Sequence, residues 1–332
     1  MRSANPMNER ERTVDVVCLG HAAFDRVHTV EAIPATPTKL RASAYREVGG
    51  GMAANAACAI ARLGGRVAFF GRAGDDPAGA SMAREFADAG VDTQGFRRYA
   101  GCRSSQSSVI VDARGERLIV SYLGDVPDDA SWLPLARVAG AGAVLADVRW
   151  PTGARALFAA ARAAGVPRVL DADVADAQVI DALITLADHV VFSEHGLDRW
   201  AGLPANADAQ SRARALDRAW AAMRSRAAPG ASPHACAVTV GEAGSWWRTG
   251  AGTLHVPAPR VVAVDTLAAG DVFHGAYALA LAEGRGVVEA ARFASAAAAI
   301  KCTRPGGRAG APTRDEVDAQ LAAGVSESTG AR

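Results

Sequence analysis

The sequence is poor in the features that mark several common protein classes. Its five cysteines (Cys18, Cys58, Cys102, Cys236 and Cys302) are odd in number and never stand as C-x-x-C. This argues against a disulfide framework or a zinc knuckle, and reduced thiols are the plain reading. No stretch reaches the ~20 uninterrupted apolar residues that a membrane-spanning helix needs. Met1–Arg12 is polar and lacks the apolar core of a signal peptide, so a cytoplasmic protein with no membrane partner is expected. Neither sign of charge is in excess: 36 Lys and Arg against 35 Asp and Glu leave a formal charge of +1. That balance gives no electrostatic footprint for nucleic acid, and any anionic ligand must be caught by a few placed groups. Finally, Gly20-His21-Ala22-Ala23, after the first apolar run, does not supply the G-x-G-x-x-G of a dinucleotide-binding turn.

What is present is a long alternation. The 332 residues, half of them hydrophobic, suffice for one large α/β domain. Val16–Leu19, Val67–Phe70, Ala143–Leu145, Arg168–Leu170, His189–Phe192 and Cys236–Val240 read as buried strands. Between them Ala53–Leu63, Ala80–Ala89, Gly153–Ala164, Asp176–Ala187 and Arg212–Arg226 are Ala-rich and free of internal proline. Strands apolar on both faces, alternating with helices, predict a parallel sheet covered on both sides. Two segments break the rhythm. Leu40–Val48 alternates polar and apolar residues, and Ser107–Tyr122 holds two strand-like runs around Asp112-Ala113-Arg114-Gly115, the pattern of a β-hairpin. They suggest a small antiparallel sheet standing off the domain as a lid. We expect one domain over residues 14–323, with lid segments near 25–48 and 101–125 and frayed tails at 1–13 and 324–332.

The densest chemical signal is Val264-Asp265-Thr266-Leu267-Ala268-Ala269-Gly270-Asp271-Val272-Phe273-His274-Gly275. It follows the apolar run Val261–Val264, read as strand-like, and opens a helical pattern. Small residues at 268–270 let backbone amides approach a ligand, and a helix starting there aims its positive end at an anion. Asp271 then sits where a carboxylate could take a hydroxyl proton beside a transferring phosphoryl group. The same segment also reads as an ordinary strand–turn–helix with an acidic residue near the N-cap.

This stretch resembles the C-terminal signature of the ribokinase-like (PfkB) carbohydrate kinases. The resemblance implies that Asp271 is the catalytic base and that Ala268, Ala269 and Gly270 form the anion hole. It runs from about Val14 to Ala322. Gly49-Gly50-Gly51-Met52-Ala53-Ala54-Asn55 is similar to the family's N-terminal glycine signature, which makes Gly50, Gly51 and Asn55 sugar contacts. Taken alone, that run is a Gly-rich helix entry. Asp25 matches the carboxylate that holds sugar hydroxyls, and Gly71-Arg72-Ala73-Gly74-Asp75-Asp76 continues the pattern. For ATP, Thr239-Val240-Gly241-Glu242-Ala243-Gly244 resembles the phosphate-side T-x-G-x-x-G loop, with Ala298 and Gly306 bordering adenine. Asp265 and backbone carbonyls near Leu267, Arg304 and Gly306 match a monovalent-cation (K⁺) site. One departure is visible: where the family has N-x-x-E to organise Mg²⁺, this chain reads Ser193-Glu194-His195-Gly196, leaving Ser193 and Glu194 as the available groups, and Mg²⁺ is still expected with ATP because the phosphates need a divalent ion. The implied fold is a ribokinase-like three-layer sandwich with a central, mostly parallel sheet and a small antiparallel β lid. Relatives dimerise through that lid, so a homodimer is expected.

Three stretches narrow the sugar: Ser104–Ser108, Ala146–Trp150 and Lys301–Gly310 resemble the sulfofructose kinase branch, which phosphorylates C1 of 6-deoxy-6-sulfofructose. A sulfonate needs cations away from Asp271, and Arg149 and Lys39 are the candidates; a solvated surface cation is the ordinary fate of such residues. Ser121 stands where that branch has Asn, and an inward Asp125 would repel an anion. A neutral ketose, ribose or nucleoside therefore stays open, although aromatics for stacking a base are only 6% of the chain. A silent sugar or nucleotide sensor on the same fold is the remaining alternative, and the Asp271 motif argues against it.

Overall fold

The strand-and-helix alternation folds as one large twisted sheet with helices on both faces and a second, smaller sheet at its rim. The computed structural model describes residues 13–225 and 233–329. The large sheet contains β1 (Val14–Gly20), β4 (Val67–Gly74), β5 (Asp92–Tyr99), β8 (Ala141–Asp147), β9 (Arg168–Ala172), β10 (His189–Ser193), β11 (Ala235–Thr239), β12 (Ser245–Thr249) and β13 (Gly252–Val256). Their order is β13-β12-β11-β10-β9-β8-β1-β4-β5, so the first strand lies inside the sheet. Pairings from β11 to β5 are parallel, and β12 and β13 add an antiparallel edge.

Strand alternation divides the core between the two faces. On β1, Val16 and Cys18 meet one face while Val17 and Leu19 meet the other. The first face is covered by α1 (Met52–Arg62), α2 (Pro77–Asp88), α7 (Ala269–Ala282), α8 (Val287–Cys302) and α9 (Arg314–Thr329). The second is covered by α3 (Pro151–Ala164), α4 (Ala177–Ile184), α5 (Glu194–Ala201) and α6 (Ala209–Ser225). All six strands and five helices expected from the sequence are present, within the usual fraying of their ends.

The small sheet is built from β2 (Ala23–Thr29), β3 (Ala44–Gly50), β6 (Gln106–Val111) and β7 (Arg117–Tyr122), in the order β3-β2-β6-β7. Its outer pairings are antiparallel, whereas β2 and β6 at its centre run parallel. The parallel seam arises because the two hairpins come from distant segments and join side by side. Asp112 makes the β6–β7 turn, its Oδ1 accepting from the amides of Arg114 (2.9 Å) and Glu116 (3.0 Å).

Two expectations need correction. Val261–Val264 is not a strand: Val262 is 86% exposed, and the segment is tied down at its end by Val264 N and Asp265 N donating to the Cys302 carbonyl (2.7 and 3.1 Å). Apolar composition alone suggested a strand, but no sheet edge is there to receive it. Residues 324–329, expected as a frayed tail, belong to α9, which starts with Asp315 and Glu316 in its first turn and has no proline to stop it. Of the expected tails, residues 1–12 and 330–332 lie outside the described residues. Among the described residues no helix is long and apolar enough to cross a membrane.

Candidate active site

In open parallel sheets ligands collect at the carboxyl ends of the strands. Here those ends carry Gly20, Asp147, Asp171, Ser193 and Thr239, on β1, β8, β9, β10 and β11. The lid rises beside them. Asp147, fully buried, ties the entrance together: Oδ2 accepts from His21 N (2.7 Å) and Ala53 N (3.1 Å), and Oδ1 accepts from Arg149 N (2.8 Å). One carboxylate thus fixes the start of the lid, the first turn of α1 and the end of β8.

Asn55 and Asp271 meet although they are 216 residues apart: Asn55 Nδ2 donates to Asp271 Oδ2 at 2.6 Å. Close packing of α1 on α7 makes this possible. A Cβ at Gly275 would lie 2.6 Å from the Ala56 carbonyl, so only glycine lets the two helices approach this far. Asn55 Oδ1 is buried without a partner, an acceptor left beside Asp271. The α7 entry is unusual. Its N-cap, Ala268, has φ 63°, the one non-glycine residue with positive φ among the described residues. The bond from Val272 N to the Ala268 carbonyl (3.0 Å) begins the helical pattern, so the first-turn amides of Gly270 and Asp271 point out of the helix end.

Burial pushes the Asp271 carboxyl up to about 7, with the nearby Asp171 carboxylate adding to the rise and the Asn55 amide and His274 opposing it. Asp171 is itself raised well above the usual carboxylate range by burial and by Asp173 and Asp147, and its Oδ1 has no partner. His274 links the α7 entry to the sheet: Nδ1 lies 2.7 Å from the Gly270 carbonyl and 3.4 Å from Asp171 Oδ2, and Nε2 lies 3.2 Å from the Val191 carbonyl.

On the lid, Asp25, Ser107 and Ser121 form one cross-strand row. Asp25 hydrogen-bonds Ser107, and the Ser107 and Ser121 hydroxyls are 3.3 Å apart. Asp25 lies within β2, not in a turn after β1. Burial raises its pKa, against the lowering effects of Ser107 and Arg308. Gly50 makes room for this carboxylate, since a Cβ there would sit 2.1 Å from Asp25 Oδ2. Gly51 caps α1. Arg308, buried behind Gly49, pairs with Glu85, which also accepts from Gly49 N (3.0 Å).

Arg149 is exposed, and its guanidinium makes no hydrogen bond or ion pair among the described residues. Its backbone is held at the end of β8 by Asp147, and its charge is felt by both His21 and Asp171. Lys39 is not brought there: it lies on the exposed connection between β2 and β3. Asp125 is exposed, and its Oδ1 accepts from the Arg103 amide (2.5 Å).

On the nucleotide side, Thr239 Oγ1 donates to the Phe192 carbonyl (3.3 Å), and Gly241 and Gly244 bracket a single 3₁₀ turn between β11 and β12. Ala298 is half-buried on α8. Gly306 N donates to Asp265 Oδ2 (2.9 Å), and Leu267 N donates to Asp265 Oδ1 (2.8 Å). Arg304 turns its guanidinium to Glu316 (3.1 and 2.6 Å).

The Ser193–Gly196 stretch does not fit a protein-ligated magnesium ion. Ser193 caps α5 by accepting from Gly196 N (2.9 Å) and donates to Asp173 Oδ1 (2.6 Å). Glu194 is paired with Arg212 at 2.5 Å. Among the described residues no group of three His, Cys, Asp or Glu side chains could hold a metal.

Asp147, Asp171, Asp173, His21 and Arg308 escaped the sequence reading. A signal was available for the first two: each is a charge closing or interrupting an otherwise apolar buried strand, a placement rarely made without purpose.

A family model described as pfkB family carbohydrate kinase matches residues 14–314. The ribokinase of Haemophilus influenzae is 30% identical over 306 residues, covering 90% of this chain and 95% of that one. The crystal structure of a candidate ribokinase from Agrobacterium tumefaciens superposes with a TM-score of 0.84 at 37% identity, covering 94% of this chain and 99% of the other. Arabidopsis thaliana ribokinase complexed with ribose and ATP gives a TM-score of 0.80 at 26% identity, over 93% and 98%. A family match across nearly the whole described fold, joined to a geometry that brings the two signature segments onto one hydrogen bond, means that this chain belongs to the pfkB family of carbohydrate kinases.

Proposed function

We propose that this ATP-dependent sugar kinase phosphorylates a primary hydroxyl of a ketose with an anionic tail, C1 of a sugar such as 6-deoxy-6-sulfofructose. The observation that carries the reading is the unpaired Arg149 guanidinium, just past the end of β8, whose charge is felt by the buried Asp171 beside Asp271. A fork of five donors with no protein partner suits a sulfonate, which offers several acceptor oxygens.

In this reading Asp25, Gly50, Gly51, Asn55 and Ser121 hold the sugar. Asn55 Oδ1 accepts from one hydroxyl while the reacting hydroxyl faces Asp271, whose Oδ2 is already oriented by Asn55 Nδ2. Asp271 takes the hydroxyl proton, the sugar oxygen forms the new bond to the γ-phosphorus, and the bridging oxygen leaves with its electron pair on ADP. Of the expected Ala268–Gly270 anion hole, Ala269 N is engaged by the Thr266 carbonyl (3.2 Å), so the amides of Gly270 and Asp271, presented by the left-handed turn at Ala268, receive the charge on the transferring group. Thr239, Gly241, Gly244, Ala298 and Gly306 border the nucleotide. The lid closes over the sugar and excludes water.

A second reading, ribose or a neutral ketose, is favoured by the names of the relatives. The deciding experiment is an ATP-consumption assay with sulfofructose, fructose and ribose side by side, repeated for Arg149→Ala. Selective turnover of the sulfonated sugar, with KM rising at least about tenfold in the variant, supports the proposal. Preference for a neutral sugar, untouched by Arg149→Ala, overturns the anionic tail and leaves the kinase in place.

A further inference from the structure

Lys301, in the last turn of α8, is 0% exposed. A lysine ammonium is seldom taken fully out of water unless oxygen atoms replace the water it gives up. Nζ donates to the Asp265 carbonyl at 2.5 Å and reaches the Arg304 carbonyl at 3.4 Å, with Asp265 Oδ1 at 3.7 Å. Those oxygens belong to the two segments from which a monovalent-cation site was expected. They do not fit an ion taken from solution, because the chain's own ammonium already sits among them. The remaining capacity of the Asp265 carboxylate is turned toward the amides of Leu267, Gly306 and Gly307 (2.8, 2.9 and 3.4 Å) and the Arg46 guanidinium (3.8 Å). A free cation there would face two like charges, the Lys301 ammonium and the Arg46 guanidinium.

We propose that Lys301 supplies from within the chain the monovalent cation of this loop, so that the kinase works without potassium. The ammonium braces residues 265–268 against residues 304–307, and the first of these segments leads directly into Ala268 and the amides of the α7 entry. Lys301 is therefore a positioning residue, acting on the reaction through the backbone it holds. Buried as it is, it touches neither sugar nor phosphate. The inference rests on membership of the kinase family and is indifferent to which sugar is used.

The test begins with thermal unfolding of the full-length protein, without sugar or ATP, in potassium, sodium and tetramethylammonium chlorides of equal ionic strength. The three midpoints should coincide. Initial rates with ATP and the best sugar of the panel should agree within about twofold across the salts. Lys301→Ala should lower kcat by about tenfold or more with a smaller change in the KM for sugar. Potassium or ammonium should restore much of that rate and raise the variant's melting midpoint, while tetramethylammonium, too large for the space, should do neither. A wild-type rate about fivefold or more higher in potassium than in tetramethylammonium sinks the idea. So does an Ala variant that folds but is repaired by no small cation, since a purely structural lysine would behave in that way. If Lys301→Ala fails to fold, the wild-type salt comparison still decides.

Discussion

At the scale of single residues the site is governed by carboxylates kept where water would rather ionise them. Asp271 is pushed to about 7 from an ordinary 3.8, mainly by burial. A proposed base in that state must lose its proton before it can accept one, so kcat/KM should fall as pH drops through about 7. The sign for stability is opposite. A raised folded pKa means that the protonated carboxyl is favoured by the fold, so this group's contribution is lost as pH rises from the ordinary carboxylate range to about 7. Asp271→Asn should consequently be more stable than wild type above neutral pH, on the order of 1–3 kcal/mol, with the difference closing at acid pH. The same change should lower kcat by at least about 100-fold. Paired denaturant titrations and pH–rate profiles check both limbs; an Asn variant that keeps its rate removes Asp271 from the base role. Asp271 and Asn55 were legible in the sequence because each lies in a long motif. Lys301 was not, since a lysine near a helix end reads as solvated surface, and only the fold shows carbonyls from two distant loops closing around it.

At the scale of elements the decisive feature is how α7 begins. A left-handed alanine costs roughly 1–2 kcal/mol relative to a relaxed helix start, and Ala268 holds φ 63° at the turn that presents the helix amides. Ala268→Gly should therefore raise stability, by up to about 1 kcal/mol after the flexibility glycine adds to the unfolded chain. Ala268→Val, β-branched in the same region, should lower stability by about 1–2 kcal/mol and reduce kcat by displacing the amides. Chemical denaturation reads the first effect and steady-state kinetics the second. The helices and buried strands were legible from composition and period, since their partners are the sheet neighbours that every α/β layer provides. The lid was legible only as two loose segments. Strand β2 was missed because Ala23–Thr29 mixes an acid, an arginine and a histidine with apolar residues, and its pairing with β6 joins segments about eighty residues apart. Val261–Val264 shows the converse error, an apolar run with no edge to join.

At the scale of the whole molecule the lid leaves a conspicuous apolar edge. Leu118, Ile119, Val120, Tyr122 and Leu123, on and just beyond β7, are 46–64% exposed. An edge strand of that character invites a partner, and the proposed homodimer would place it against a second copy. Sedimentation equilibrium should then report a dimer, and a charge introduced by Val120→Lys should shift it toward monomer. A monomeric wild type at micromolar concentration would refute the lid contact while leaving the kinase chemistry intact.

The hydrogen bond between Asn55 and Asp271 joins residues 216 positions apart, from two helices packed on the same face of a sheet whose first strand is an interior one. During synthesis Asn55 emerges early and waits, with its amide unmatched, until residue 271 has left the ribosome. Catalytic competence therefore arrives in a single late event. On the proposed roles, a nascent chain that stalls before α7 is complete should hold neither a partial kinase nor a leaky ATPase, because Asp271 and the helix end that bears it enter the fold together.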